Sequence, residues 1–219
     1  MPRTLEEEIE YFDRLANRKD AFASIKQRVI EKSKIIQNLV IKPYEFILDL
    51  GCGSGLFVPI FQNWTYLGVD ISSKRIKVAK KQFPKQDFFV ANAYFLPFKD
   101  SSIGIIFGNG ILHHVGLNIF RELVRVMKRG GIFIAFEPNQ RNPIGAKKVA
   151  TVCETGLKKE EIETVLQRLN LKYSIKTKNW IPDWWTGIKR KLARPIEIIL
   201  EKIPFVKEFG GCLLIYFNK

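Results

Sequence analysis

Three side chains in this sequence have the chemistry for proton transfer and lie just past predicted strands. His113 and His114 are adjacent and are the two histidines of the chain, and Glu137 ends a later apolar run. Imidazole and carboxylate groups act as general bases when they lie against a reacting group. Structural alternatives stay open, because the histidines could merely position a ligand and Glu137 could be a solvated acid or the partner of Arg141.

The segment LDLGCGSG, residues 48–55, follows the first predicted strand and is rich in glycine. Gly51, Gly53 and Gly55 allow a tight turn and a close approach to a ligand, and the helix expected after them would offer free backbone N–H groups. A dinucleotide-binding GxGxxG motif would need glycine where Leu56 stands, so the pattern disfavours a nicotinamide cofactor. A purely structural turn is the alternative.

Polar residues also follow the second and third predicted strands. Asp70 lies in GVDI, residues 68–71, where a carboxylate can accept both hydroxyls of a ribose. Asn92 lies in ANAYFLPF, residues 91–98, where its side chain can face an adenine edge. The alternatives are a helix N-cap for Asp70 and an ordinary loop position for Asn92.

Five short apolar runs, each followed by glycine or a polar residue, alternate with amphipathic stretches. Uninterrupted apolar strands are buried on both faces, which indicates a parallel sheet covered by helices. Ser72 or Ser73 can cap one helix, and Gly130–Gly131 are expected to end another that begins at Leu117. The pattern predicts a doubly wound α/β sheet. The predicted strands are Phe46–Leu50, Tyr66–Val69, Phe88–Ala91, Ile103–Phe107 and Ile132–Phe136.

Further elements flank this core in what we expect to be a single domain, 1–219. Residues 4–39 have the periodicity of two helices, which Pro43 ends, and a helix around Ile162 precedes a strand at Lys172–Lys178. The predicted organisation is an N-terminal helical segment at 1–42, a ligand-binding core at 45–139, a helical insertion at 180–210 and a last strand at Cys212–Phe217.

The segment Trp180–Val206 combines apolar residues at spacings of three and four with a cluster of cations. Such a helix fits the surface of an anionic membrane, which would be contacted through 184–203. The same pattern fits a cap over an acceptor pocket or packing on the sheet. Pro195 is expected to break or kink the helix. The residues concerned are Trp184, Trp185, Ile188, Leu192, Ile196, Ile199 and Ile203, with Lys189, Arg190, Lys191 and Arg194.

The composition is that of a folded, basic protein. Hydrophobic residues make up 46% of the chain and charged residues 26%, which excludes a disordered chain. The formal charge of +14 is compatible with nucleic acid, anionic lipid or an anionic small molecule as partner, and equally with a solvated lysine-rich surface. Nothing in the composition indicates an oligomeric state.

The cysteines and the N-terminus bear on the cellular location. Cys52, Cys153 and Cys212 form no CxxC pair, so we expect no metal centre and no disulfide framework, and a reducing cytoplasm is the default. The acidic N-terminus is not typical of a signal peptide. No apolar stretch of the sequence approaches the roughly 20 residues that a membrane-spanning helix needs. We therefore expect a cytoplasmic protein, with peripheral contact at the inner membrane surface as the alternative.

Taken in order, the motifs resemble those of the class I methyltransferase superfamily, which uses S-adenosylmethionine, and especially its branch of quinone-biosynthesis enzymes. The resemblance covers residues 45–139 and implies a Rossmann-like, mostly parallel seven-stranded sheet. It also implies methyl transfer to oxygen, nitrogen or carbon of a small-molecule or lipid- or quinone-like acceptor. The motifs are LDLGCGSG, GVDIS, ANAYFLPF, NGILHHV and ELVRVMKRGGIFIAFEPN.

The resemblance also assigns cofactor-binding residues. The family usually has aspartate where Asn92 stands, and an asparagine carbonyl can still accept a hydrogen bond from adenine. A lid over the cofactor is implied for YFDRLA, residues 11–16, which includes Tyr11. The implied contacts are Asp49, Gly51, Cys52, Gly53 and Gly55 for the methionine portion, Asp70 and Ile71 for the ribose, Asn92 and Ala93 for the adenine, and Asn109 beside the methionine and sulfonium.

Two other functions stay open from the sequence. The positive charge would suit an RNA methyltransferase, but NGILHHV stands where many base-methylating enzymes have an Asn/Asp-Pro-Pro-aromatic sequence. A non-catalytic protein that binds S-adenosylmethionine and regulates a complex is the second alternative, since an intact glycine loop does not establish turnover.

Overall fold

A computed structural model describes residues 4–15, 20–39, 46–143, 156–178 and 187–219; for residues 15, 20–28 and 187–190 only the backbone is described. The described helices are α1 (Leu5–Leu15), α2 (Asp20–Leu39), α3 (Ser73–Gln82), α4 (Leu112–Val115), α5 (Phe120–Val126), α6 (Lys159–Arg168) and α7 (Gly187–Leu200). The strands are β1 (Phe46–Leu50), β2 (Thr65–Asp70), β3 (Asp87–Val90), β4 (Ile103–Asn109), β5 (Met127–Pro138), β6 (Lys172–Lys178) and β7 (Cys212–Asn218).

The strands form one seven-stranded sheet in the order β3-β2-β1-β4-β5-β7-β6. Strands β1 to β5 pair in parallel, and β7 lies antiparallel between β5 and β6. The strand order reverses between β1 and β4, and the carboxyl ends of the strands on either side of such a reversal form a crevice in doubly wound sheets. The predicted fold class is confirmed, with N-terminal helices before the sheet and a helical insertion before its last strand.

Apolar side chains cover both faces of the sheet. Leu48 and Leu50 of β1 point to a cluster completed by α4, α5 and α6, whereas Ile47 points to a second cluster completed by α2 and α3. Successive side chains of a strand alternate between faces, so an unbroken apolar run can fill two cores at once. This burial fixes where each central strand ends and therefore where the polar residues after it emerge.

Strand β3 departs from the prediction of burial on both faces. It lies at the edge of the sheet, where Phe88 is buried but Val90 is 55% exposed. An edge strand has a neighbour on one side only, so its apolar run is covered less than that of a central strand.

The predicted end of the helix before β5 was also wrong. Helix α5 ends at Val126, not at Gly130–Gly131, which lie inside β5. The carbonyls of Arg125 and Val126 accept hydrogen bonds from the N–H groups of Ser101 and Ser102, at 2.9 Å each. These external donors satisfy the last carbonyls of the helix, so the chain turns into the strand earlier than the glycines suggest.

In the described part of the insertion, Pro195 does not break the helix, contrary to one of the two expectations for it. Helix α7 continues across Pro195 to Leu200, and an ion pair between Arg194 and the buried Glu197 spans the proline. A proline removes a single backbone N–H donor, and contacts of the helix can offset that loss. Trp180, Trp184 and Trp185, like Pro43 and Cys153, lie outside the described residues.

Across the described ranges, no helix is both long enough and apolar enough to cross a lipid bilayer.

Candidate active site

A cavity of about 370 Å³ lies at the carboxyl ends of the parallel strands, underneath α1. This volume falls in the range of roughly 300–1,000 Å³ that small-molecule sites occupy. Helix α1 contributes Leu5, Glu8 and Phe12 to its wall. Seven residues singled out from the sequence also line it: Gly51, Asp70, Ile71, Asn92, Ala93, Asn109 and His114.

The glycine loop turns tightly against the end of β2. The N–H groups of Gly51 and Cys52 both donate to the Val69 carbonyl, at 2.8 and 2.9 Å. Gly51 has φ +71°, and a Cβ on it would approach Ile111 to 3.0 Å, so only glycine suits this position. The loop therefore keeps its backbone at the cavity wall with no side chain in between.

The helix expected after the glycine loop is absent. A 3-10 turn, Val58–Ile60, follows the loop, with Pro59 in its first turn. So short a turn has no developed helix dipole, and the predicted helix N-terminus is not available to bind a ligand here. The groups that this loop can offer to a ligand are its backbone and the carboxylate of Asp70, which accepts a hydrogen bond from Gly53.

Asp70 is held rigidly at the cavity wall and is 5% exposed. Its Oδ2 accepts the N–H of Gly53 at 2.8 Å, and its Oδ1 accepts the N–H of Ser72 at 2.9 Å. The N-cap of α3 is Ser72, whose hydroxyl accepts the Arg75 N–H at 3.1 Å, so the N-cap alternative for Asp70 was wrong. A carboxylate oxygen has two acceptor sites, so both oxygens retain capacity for ribose hydroxyls.

Asp49 lies beneath the glycine loop and is not part of the cavity lining. Its Oδ2 accepts the hydroxyl of Tyr66 at 2.6 Å. Burial raises the pKa of Asp49 to about 7, which the Tyr66 hydrogen bond partly opposes. This acid is therefore poised to change its charge near neutral pH, next to the backbone that the resemblance assigns to the methionine portion.

Asn92 lines the cavity beyond β3. Its Oδ1 accepts the N–H of Tyr94 at 3.0 Å, which closes a side-chain turn, and the Tyr94 hydroxyl donates to the Val115 carbonyl. These bonds hold the loop against the segment after α4. Asn92 and Ala93 thus form a fixed wall at the end of the cavity nearest β3.

Glu137 is 1% exposed and supports α4 from below. Its Oε1 accepts the N–H groups of Ile111 and Leu112 at 2.8 and 2.9 Å, and its Oε2 lies 2.8 Å from Nδ1 of His113. The solvated-acid and Arg141-partner alternatives were wrong, because Arg141 pairs with Glu160 at 3.0 Å. A carboxylate can only accept, so Nδ1 of His113 carries the proton in this pair.

The two histidines face different surroundings. His113 turns back to Glu137 and does not line the cavity, whereas His114 does. The His114 ring meets the edge of the Phe12 ring at 5.0 Å between centroids, and its Nδ1 lies 3.7 Å from Glu8. Of the three proton-transfer candidates, His114 alone is placed against the cavity.

Helix α1 is anchored over the cavity by an acid that the sequence did not single out. Asp13 accepts the Ser72 hydroxyl at 2.5 Å, a hydrogen bond that lowers the pKa of Asp13. Phe12 packs under the Arg75 guanidinium, 5.2 Å from the ring centre. Tyr11, which was predicted to bind the cofactor, does not line the cavity but contacts the Phe12 ring.

Lys32 of α2 is a second residue that sequence reasoning missed. Its ammonium donates to Oδ1 of Asn109 and lies 4.8 Å from the centre of the Phe136 ring. In the sequence it is one of three lysines of α2, and only the packing of this helix brings it to the carboxyl end of β4.

No group of three or more His, Cys, Asp or Glu side chains within the described ranges could hold a metal ion.

Comparison with known proteins agrees with this architecture. Residues 48–135 match the family model described as a methyltransferase domain, which confirms the resemblance drawn from the motifs. A SAM-dependent methyltransferase of Thermotoga maritima superimposes with a TM-score of 0.71 over 95% of this chain and 98% of its own, at 16% identity.

Two sequence relatives match part of the chain. An uncharacterized protein of Methanocaldococcus jannaschii is 42% identical over 57% of this chain and 49% of its own length. A ubiquinone/menaquinone biosynthesis C-methyltransferase of Campylobacter jejuni is 29% identical over 63% of this chain and 66% of its own length. The chain thus spans about half to two thirds of these relatives.

Proposed function

We propose that this chain binds S-adenosylmethionine and transfers the methyl group to a small, apolar acceptor, because its residues 48–135 match the family model described as a methyltransferase domain. The observation that carries the proposal is Asp70, whose two oxygens are fixed by Gly53 and Ser72 at the wall of a cavity between parallel strand ends. A carboxylate in this place recognises a ribose.

The residues of the cavity suit the parts of this cofactor. Asp70 would accept the ribose hydroxyls, and the wall formed by Asn92 and Ala93 would border the adenine. The bare backbone of Gly51 would run beside the methionine portion, with Asn109 at that end. Phe12 and Leu5 of α1 would cover the adenosine, which excludes water from the site.

The cofactor supplies an electrophilic methyl group, so the protein's task is to align the acceptor with it and exclude water. His114 is the described histidine that faces the cavity, and it would receive a proton from an acceptor that must ionise. Glu137 would be a positioning residue that does not touch the acceptor. It fixes the backbone of Ile111 and Leu112 where the chain passes from β4 into α4.

Calorimetric titration tests the cofactor. We expect the protein to bind S-adenosylmethionine and S-adenosylhomocysteine and to show no binding of a nicotinamide dinucleotide. Asp70→Asn should weaken binding roughly 10- to 100-fold, since charge-assisted hydrogen bonds to the ribose become neutral ones. Asp87→Asn, at an exposed position on the edge strand, is the matched control. Unchanged affinity in folded Asp70→Asn protein would refute this site.

The finer part of the proposal is a lipid- or quinone-like acceptor reached at a membrane surface. Leu192, Ile196 and Ile199, spaced four and three residues apart along α7, are 72%, 60% and 60% exposed. Ile203 continues the same line beyond the helix, and the side chain of Glu197 is buried. An apolar stripe in water favours an apolar partner, and the exposed Lys191 beside it favours an anionic surface.

Co-sedimentation with vesicles tests this surface. We expect binding to vesicles that contain phosphatidylglycerol, weaker binding to phosphatidylcholine alone, and loss of binding in an Ile196→Glu/Ile199→Glu variant. Ile198→Glu lies on another side of the same helix and is 44% exposed, so it should bind normally. Equal binding by both variants would contradict the membrane assignment and leave the stripe as a cover for the acceptor pocket.

A further inference from the structure

We propose that Lys32 binds the carboxylate of the methionine portion of S-adenosylmethionine and so sets which end of the cofactor lies at β4. The inference rests on the proposed function and adds a binding residue on α2, outside every motif of the sequence.

Lys32 is placed on the packed side of its helix. Val29 and Ile36, one turn before and one turn after it, are 9% and 2% exposed and belong to the apolar cluster on the sheet. Residues three and four apart share one face of a helix, so Lys32 points toward the sheet. Burying an ammonium group near an apolar core costs free energy unless polar groups accept its hydrogen bonds.

One contact of Lys32 reaches the cavity wall, although Lys32 itself is not among the residues that line the cavity. Its ammonium donates to Oδ1 of Asn109, which lines the cavity, and lies 4.8 Å from the centre of the Phe136 ring. An amide oxygen and a ring face attract the cation, and a carboxylate would attract it more strongly. The ammonium is therefore held where a negative group of the ligand can join Asn109 around it.

The chemistry of the cofactor selects its carboxylate. The cation that lines the cavity itself, Arg75, is paired with Asp70 at 3.6 Å, so its charge is already engaged where the ribose would bind. The sulfonium and the ammonium of the methionine portion are both positive, so Lys32 would repel them. The carboxylate is the one anionic group that the cofactor offers, and its contact with Lys32 would hold the positive groups away from the lysine.

Decarboxylated S-adenosylmethionine, which differs from the cofactor by that single group, gives a direct test. We expect Lys32→Gln to weaken S-adenosylmethionine binding roughly 10- to 100-fold in calorimetry, and to leave the affinity for the decarboxylated ligand within about twofold. Lys34→Gln, at an exposed position of the same helix, is the control and should change neither affinity.

Each other outcome is informative. An equal loss for both ligands would mean that Lys32 only supports the fold, and an unchanged affinity for both would mean that it serves an anionic acceptor or nothing; either overturns the proposal. Failure of the proposed function is a different result, because the unaltered protein would then bind neither ligand.

Discussion

Replacing Glu137 by glutamine separates a supporting role from a catalytic one. The carboxylate is buried and accepts the N–H groups of Ile111 and Leu112, while its second oxygen faces Nδ1 of His113. Glutamine keeps the shape and one acceptor, but its amide NH₂ group must oppose either the backbone donors or the protonated ring nitrogen. The substitution therefore removes the negative charge and turns one accepting oxygen into a donor.

The expected loss of stability follows from these contacts. Two hydrogen bonds from His113 lose their acceptor, the stronger one from Nδ1 and the weaker one from the backbone N–H at 3.3 Å, at a combined cost of about 1.5–3 kcal/mol. The backbone bonds from Ile111 and Leu112 remain but weaken by about 0.5 kcal/mol each. We expect the free energy of unfolding to fall by about 2.5–4 kcal/mol, a large share of the usual 5–15 kcal/mol for a domain. Glu137→Ala would leave several buried donors without an acceptor, so glutamine is the more interpretable change.

Urea denaturation measures the effect, with the exposed Glu161→Gln of α6 as the control that should change stability by less than about 0.5 kcal/mol. The reasoning fails if Glu137→Gln protein is as stable as the unaltered protein. A variant of full stability and normal cofactor affinity that had lost turnover would instead identify Glu137 as the general base, against the placement seen here.

Three further predictions concern the acids around the cavity. Burial raises the pKa of Asp49 from 3.8 to about 7, so the neutral form is favoured in the fold, and stability should fall by about 4 kcal/mol as the pH rises from about 4 to about 7. Asp49→Asn should abolish this dependence in urea denaturation series, and an identical profile in the variant would show that another group titrates. Tyr66→Phe removes the hydrogen bond that lowers the pKa of Asp49, so the same stability profile should extend to higher pH, and a shift to lower pH would contradict the assignment. Asp13→Ala should detach α1 from Ser72 and speed cofactor release by roughly tenfold in stopped-flow measurements, since one charge-assisted hydrogen bond is lost, whereas the exposed Glu10→Ala on the same helix should not.

The sequence determined the sheet and the groups at its edge. Continuous apolar runs such as Phe46–Leu50 can be stable only when covered on both faces, and that requirement predicted parallel strands with helices on either side. Since parallel strands end at one edge, Gly51, Asp70 and Asn109 had to meet there. These inferences rely on local pattern and chain order, which the sequence contains in full.

The tertiary structure decided which way each polar side chain turns and what surrounds it. His113 and His114 are neighbours in the sequence, yet Glu137 draws one inward and leaves the other at the cavity. Asp49 titrates near neutrality because β1 is central and buried, and Lys32 reaches Asn109 because α2 packs through Val29 and Ile36. Burial and contacts between residues distant in the chain depend on the whole packing, so no local pattern of residues could reveal them.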